Sequence, residues 1–152
     1  MSYQIDFLND GTPSADSYYG PSYTPDKAFN DSTTDSWLSD ESAFPHWIKY
    51  DLGEGISKKA RKLNMYPQEM QVKDFKLEGS NDDSVWTELL SDAATAVAEW
   101  QAWEFSNFIA YRYYMITVTS NHSEGGDTYA AIGEIELMEA VTSGTKFNRG
   151  FN

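Results

Sequence analysis

Hydrophobic and polar positions alternate along this chain in short runs with a period of two. Ile48, Tyr50 and Leu52 are interleaved with Trp47, Lys49 and Asp51; Phe75, Leu77 and Gly79 are interleaved with Lys76 and Glu78; Trp100 to Phe105 repeats the pattern. Successive side chains of a strand point to opposite faces, so each run predicts a half-buried strand. Leu63 to Tyr66 predicts a strand end, and Val85 to Leu90 the return of a hairpin turned at Asn81-Asp82-Asp83-Ser84. Tyr111 to Thr119 carries aromatic and β-branched residues on both faces, which predicts a central strand covered on both sides. Tyr129 to Met138 predicts the last long strand. Residues 3–8 alternate weakly and fit an edge strand or an arm, and Asn9 to Ser14 reads as turn.

No window sustains a helical period. Pro25-Asp26-Lys27-Ala28-Phe29 reads as one helical turn, with proline at its first position and an acid near its positive end. The alanine-rich Ser91 to Val97 is a connection with room for a short helix. There is no internal repeat. Seven or eight short strands separated by turns predict an all-β sandwich. A chain of 152 residues makes one domain with a sizeable core, assigned to residues 1–140. Residues 141–152 show no core pattern and read as a tail or linker.

Composition narrows the chemistry. With 24 acidic and 11 basic residues the net charge is -13, which argues against nucleic acid and anionic lipid as partners, since both need a basic face. There is no cysteine, hence no disulfide, thiolate metal site or cysteine nucleophile. The chain has no run long enough to span a bilayer as a helix, and its start lacks the basic and apolar regions of a signal peptide. This fits a cytosolic protein, export by another route, a particle component or a piece of something longer, with an extracellular or virion-associated setting favoured. The histidines are His46 and His122, neither a G-x-S-x-G nor an H-E-x-x-H motif occurs, and nothing nominates an acid pair. No enzyme is expected.

The stretch with most chemistry is Asn30-Asp31-Ser32-Thr33-Thr34-Asp35-Ser36, seven consecutive residues with side-chain oxygens, tied down by Phe29 and Trp37. Two readings fit. One is a solvated Asx/Ser/Thr turn. The other is a loop for a hard cation such as calcium, which takes six to eight oxygens, several from backbone carbonyls. The spacing is not that of an EF-hand, because Thr33 and Ser36 stand where that loop wants other residues.

Five motifs in order then resemble one family. Lys27-Ala28-Phe29-Asn30 with Trp37 resembles "A-F-D-G-D…W", and Trp47-Ile48-Lys49-Tyr50-Asp51-Leu52-Gly53 resembles "W-I-x-x-D-L-G". Phe75 to Asp82 with Trp86 resembles "Y-x-L-x-x-S-N-D-G-x-x-W", Tyr111 to Ile116 resembles "Y-R-Y-x-R-L", and Ala131 to Leu137 resembles "A-x-A-E-I-x-L". The family is the discoidin, or coagulation factor V/VIII type-C, domain, whose bacterial branch is the family-32 carbohydrate-binding modules. The resemblance spans residues 10–139 and implies a jelly-roll β-sandwich of the galactose-binding-domain-like type.

The resemblance also implies a structural calcium, or a sodium in its place. Its ligands would be backbone oxygens at Lys27, Ser32 and Gly133, side-chain oxygens of Asn30 and Glu134, and oxygens of Asp35. This chain departs from the pattern in three places: Asn30 for aspartate, Asp35 for threonine, and Asp31 for glycine. It further implies non-catalytic binding of glycan through loops beside the metal, with Tyr129 as the matching aromatic. The rest of the galactose-type set is missing, since Leu38 and Glu41 replace the histidine and second ring, and Gln68-Glu69-Met70-Gln71 holds no arginine. His122, Glu69, Gln68 and Tyr19 are the substitutes these loops offer. The alternatives are a structural or adhesive module of a phage tail or cell-surface assembly, touching glycan, protein or other subunits, and lipid binding through Leu38, Phe44 and Met70. The acidic charge argues against the last.

Overall fold

The structure is a computed structural model and describes residues 2–142. Among the described residues nine strands form two antiparallel sheets. The strands are β1 (Thr12–Ala15), β2 (Trp37–Leu38), β3 (His46–Asp51), β4 (Lys62–Pro67), β5 (Asp74–Ser80), β6 (Thr87–Ala93), β7 (Gln101–Glu104), β8 (Tyr113–Val118) and β9 (Ala131–Met138). The five-stranded sheet runs β1-β3-β8-β5-β6 and the four-stranded sheet β2-β9-β4-β7. The predicted all-β sandwich is what the chain forms. The proposed tail lies mostly outside the described residues.

Alternation places the core between the sheets. Ile48, Tyr50, Phe75, Leu77, Tyr114, Ile116 and Val118 face inward from one sheet, and Leu63, Met65, Ile135 and Leu137 from the other. Burial of these side chains is the main favourable term in folding, at roughly 25 cal/mol per Å² of apolar surface. Pro25–Phe29 is a one-turn 3-10 helix that packs against β9, β1 and β2, sending Ala28 and Phe29 into the core. The arm at residues 3–8 runs beside the end of β9: the Gln4 and Phe7 amides donate to the Glu139 and Leu137 carbonyls, and Tyr3 bridges Ala140.

Three expectations need correction. Asn9 to Ser14 is not all turn, because Thr12–Ala15 is an edge strand on β3. Ser91 to Val97 holds no helix; β6 continues to Ala93 against β5. Strand β8 is central, between β3 and β5, but its second face is only partly covered, with Tyr113 and Met115 half-buried.

Candidate functional site

The closing strand explains how acids come to lie under the opening loop. Between Tyr66 and Pro67 the register of β4 on β9 shifts, so that Tyr66 opposes Glu134 and Pro67 opposes Ile132. Gly133 is the extra residue of a bulge. Ile132 and Ile135 both reach the core, which regular alternation forbids, and the bulge reconciles them. From there Glu134 and Glu136 share the face opposite Ile135 and Leu137. Glycine suits position 133: a Cβ there would stand 3.2 Å from both the Tyr66 carbonyl oxygen and its ring.

Strand β2 supplies the other half. Trp37 opposes Ile132 and Leu38 opposes Ala131. This antiparallel register carries Asp35 toward Glu134 at one end and Ser39 opposite Ala130, next to Tyr129, at the other. Trp37 is fully buried and its indole Nε1 donates to the Ser17 carbonyl at 2.9 Å, so one side chain fixes both the oxygen-rich loop and the tyrosine loop.

Within the oxygen-rich loop the side chains organise one another. Asn30 Nδ2 donates to both Asp35 oxygens, at 2.9 and 3.1 Å, and Asn30 Oδ1 accepts the Ser32 amide at 3.2 Å. Asp31 holds φ 61°, the region that glycine of the family pattern would occupy at no cost. Glu134 is 1% exposed, and neither of its oxygens has a hydrogen-bond partner. Burial pushes its carboxyl up to about 8; the Asp31 amide nearby pulls the other way, and the charges of Asp31, Asp6 and Glu136 push it further up. An orphaned buried carboxylate costs several kcal/mol. A cation beside the loop would remove that cost, and the carboxylate, amide and carbonyl oxygens there are the hard donors that calcium takes. Asp6, raised to about 6 chiefly by burial, belongs to the same acidic neighbourhood.

The tyrosines gather at the start of β9. Tyr19 packs edge-on against Tyr129 with centroids 5.9 Å apart, and against Tyr23 at 6.1 Å. Tyr19 is 59% exposed and Tyr129 half-buried. The Tyr129 phenol sits above the usual tyrosine range, first through desolvation, then through the nearby Glu41, Tyr19 and Asp127. Gln68 flanks β9 from the opposite side, its amide donating to the Ala131 carbonyl. Glu69, next to it, is exposed. His122 holds the fold together instead of facing the rim. Its ring pairs with the Ala94 carbonyl at 2.8 Å and its amide donates to the Met70 carbonyl. Leu38, Phe44 and Met70 are half-buried, so the lipid reading has no exposed apolar tips in these residues.

The residue that binds this end together carries no signal in the sequence. His46 is fully buried; Nδ1 pairs with Asp16 Oδ2 at 2.8 Å, while Nε2 faces the Ser42 and Thr128 carbonyls at 3.0 and 2.9 Å. Asp16 also accepts the Trp47 amide. One imidazole therefore joins three loops. His46→Ala is expected to cost about 2 kcal/mol, because the Ser42 and Thr128 carbonyls and the Asp16 carboxylate lose their hydrogen-bond partner. Chemical denaturation would read this; an unchanged midpoint would show that the ring is dispensable.

Comparisons with known proteins agree with this architecture. The F5/8 type C domain model matches residues 12–135. Chitosan-binding module 1 of a chitosanase/glucanase from Paenibacillus sp. IK-5 aligns with TM-score 0.76 at 20% identity, over 88% of this chain and 98% of that one. The family 32 module of NanJ from Clostridium perfringens, solved in complex with galactose, aligns with TM-score 0.76 at 18% identity, over 90% and 99%. CpGH89CBM32-5 from the same organism, in complex with GalNAc-β-1,3-galactose, gives 0.77 at 14% identity, over 90% and 100%. At such identities the shared property is the fold. No curated protein matches the chain.

Proposed function

The chain belongs to the F5/8 type C domain family, and from that premise we propose that it is a non-catalytic glycan-binding module. Its contact surface is the tyrosine rim at the start of β9, and a calcium ion clamps the loop beside it. The observation that carries this is the Tyr19–Tyr129 pair, an open aromatic surface held by a rigid strand end. Sugar rings stack their apolar faces on such rings and direct hydroxyls to fixed polar groups, here Gln68 and Glu69. That solved neighbours of this fold are chitosan- and galactose-binding modules supports the reading.

The charge of the rim selects among glycans. Glu41 and Asp127 act on Tyr129, and the loops at this end also carry Asp16, Asp40, Glu69, Glu99 and Glu124. Such a rim repels uronate and sulfated chains and favours neutral or amino sugars. A glycan array in calcium buffer tests the reading. Chito-oligosaccharides or neutral galactosides should bind above alginate oligomers and heparin, and Tyr129→Ala should weaken binding at least tenfold, about 1.4 kcal/mol. Retained binding in Tyr129→Ala, or a preference for polyanions, would remove the rim from the site.

Calcium would be held by Asn30 and Asp35 side chains, the Lys27, Ser32 and Gly133 carbonyls and Glu134. It would supply rigidity. The chain's own part is to bring the loop and β9 together through Trp37, so that the ion closes a clamp next to the tyrosines.

A further inference from the structure

Asp6, Asp31 and Glu136 bring one carboxylate oxygen each to within 4.8 Å of one another. They come from three separate pieces of chain: the arm beside β9, the oxygen-rich loop, and β9 itself. Oxygens around a calcium ion at 2.3–2.6 Å stand at most about 5 Å apart, so these three fit the shell of a single hard cation. Among the described residues none of the three joins an ion pair.

Acidic side chains gather on many surfaces without a ligand, but here a buried neighbour points to one. Glu134 has both oxygens buried and unpartnered, and the charges acting on it are those of Asp31, Asp6 and Glu136. Asn64 stands opposite Glu136; its Nδ2 donates to Glu136 Oε1 at 3.3 Å, while its Oδ1 is buried without a partner. Glu134 is thus a dry carboxyl group, 1% exposed, on the same face of β9 as Glu136.

We propose that Asp6, Asp31 and Glu136 form a second seat for a calcium-class cation, on the face of β9 that also carries the buried Glu134. That it is the second rests on the loop-ion reading; the three-carboxylate seat does not. Asp6 is oriented for it: Oδ1 accepts the Leu8 and Leu137 amides at 3.1 and 2.9 Å, which leaves Oδ2 for the ion. Asp31 stands where the family pattern has glycine, so the seat is particular to this chain and not a feature of the pattern. An ion there ties the amino-terminal arm to the loop and the last strand at a single point.

Calcium bound per chain decides the matter, measured by equilibrium dialysis of EDTA-stripped protein against calcium chloride. Two ions are expected. Asp31→Gly removes a ligand while easing the backbone, and should bind one; Asp6→Asn keeps both amide contacts and should also bind one. Asp35→Ala should bind one, lost when combined with Asp31→Gly. If the loop reading fails and this one holds, the protein binds one ion that Asp31→Gly abolishes and Asp35→Ala spares. Asp31→Gly and Asp6→Asn both binding as many ions as the unaltered protein, with folding confirmed by circular dichroism, overturns the seat.

Discussion

Calcium at a hundredfold excess over its dissociation constant should raise the Tm of the stripped protein by about 5–10 °C at pH 8, and Glu134→Gln should remove most of that response. Ligand linkage at that excess is worth about 2.7 kcal/mol, and a domain of this size moves by roughly 2–4 °C per kcal/mol. Glu134 is the source of the effect, because its buried carboxylate has no partner without an ion. The pH dependence of the stripped protein gives an independent reading. The Glu134 carboxyl is raised from an ordinary 4.5 to about 8, and Asp6 from 3.8 to about 6. Below pH 4 both are protonated folded or unfolded, and their full stability is present. As pH rises past those ordinary values the unfolded chain gives up its protons while the folded one keeps them, so stability falls. For Glu134 the loss is complete only above pH 8 and amounts to roughly 3 kcal/mol, allowing for screening of its neighbours' charges. Stripped protein should therefore melt lower at pH 8.5 than at pH 5.5, and calcium should cancel most of the difference. Glu134→Gln should flatten the Glu134 share of the profile. A calcium-insensitive Tm, or a stripped protein that gains stability over the same range, would contradict the account.

Trp37→Ala is the second large change, expected to cost about 4 kcal/mol and 8–16 °C in Tm. The side chain is fully buried, so its truncation leaves a cavity that the surroundings fill only in part. Its indole also holds the Ser17 carbonyl. Because β2 is only two residues long, this one anchor sets both the loop ending at Asp35 and the loop carrying Tyr19. Trp37→Phe keeps much of the volume and loses the hydrogen bond, and should cost about 1–2 kcal/mol. Calcium affinity and glycan binding should both weaken in Trp37→Ala, measured by calorimetry below its melting range. If only global stability changed, the two loops would be positioned by something else.

The strands legible in the sequence were those with one wet and one dry face. In β3, and in β5 as far as Gly79, each inward residue is buried and each outward residue is not, which period-two reading captures directly. Strand β1 was hidden because Thr12-Pro13-Ser14-Ala15 has neither apolar alternation nor a proline-free backbone, and it forms by pairing on one side only. In β8 the composition correctly indicated a central position, but aromatic residues on its outer face do not guarantee a covering layer. The acidic neighbourhood was half visible. Glu134 came from its motif, while Glu136, two residues on and so on the same face, carried a signal that period two could have found. Asp6 could not have been placed, since nothing local fixes how the arm lies along β9. For His122 nothing in the sequence signals that Nε2 is taken by the Ala94 carbonyl, a contact between loops far apart in the chain.

The bridge between Tyr3 and Ala140 puts the two ends of the described chain side by side, eight strand residues away from the tyrosines at the start of β9. A surface to which the protein is tethered at either point would stand at the pole remote from the rings. Copies tethered side by side in this way would present their rims outward together. Weak single contacts would then add up as avidity, with the reach set by the linkers between copies.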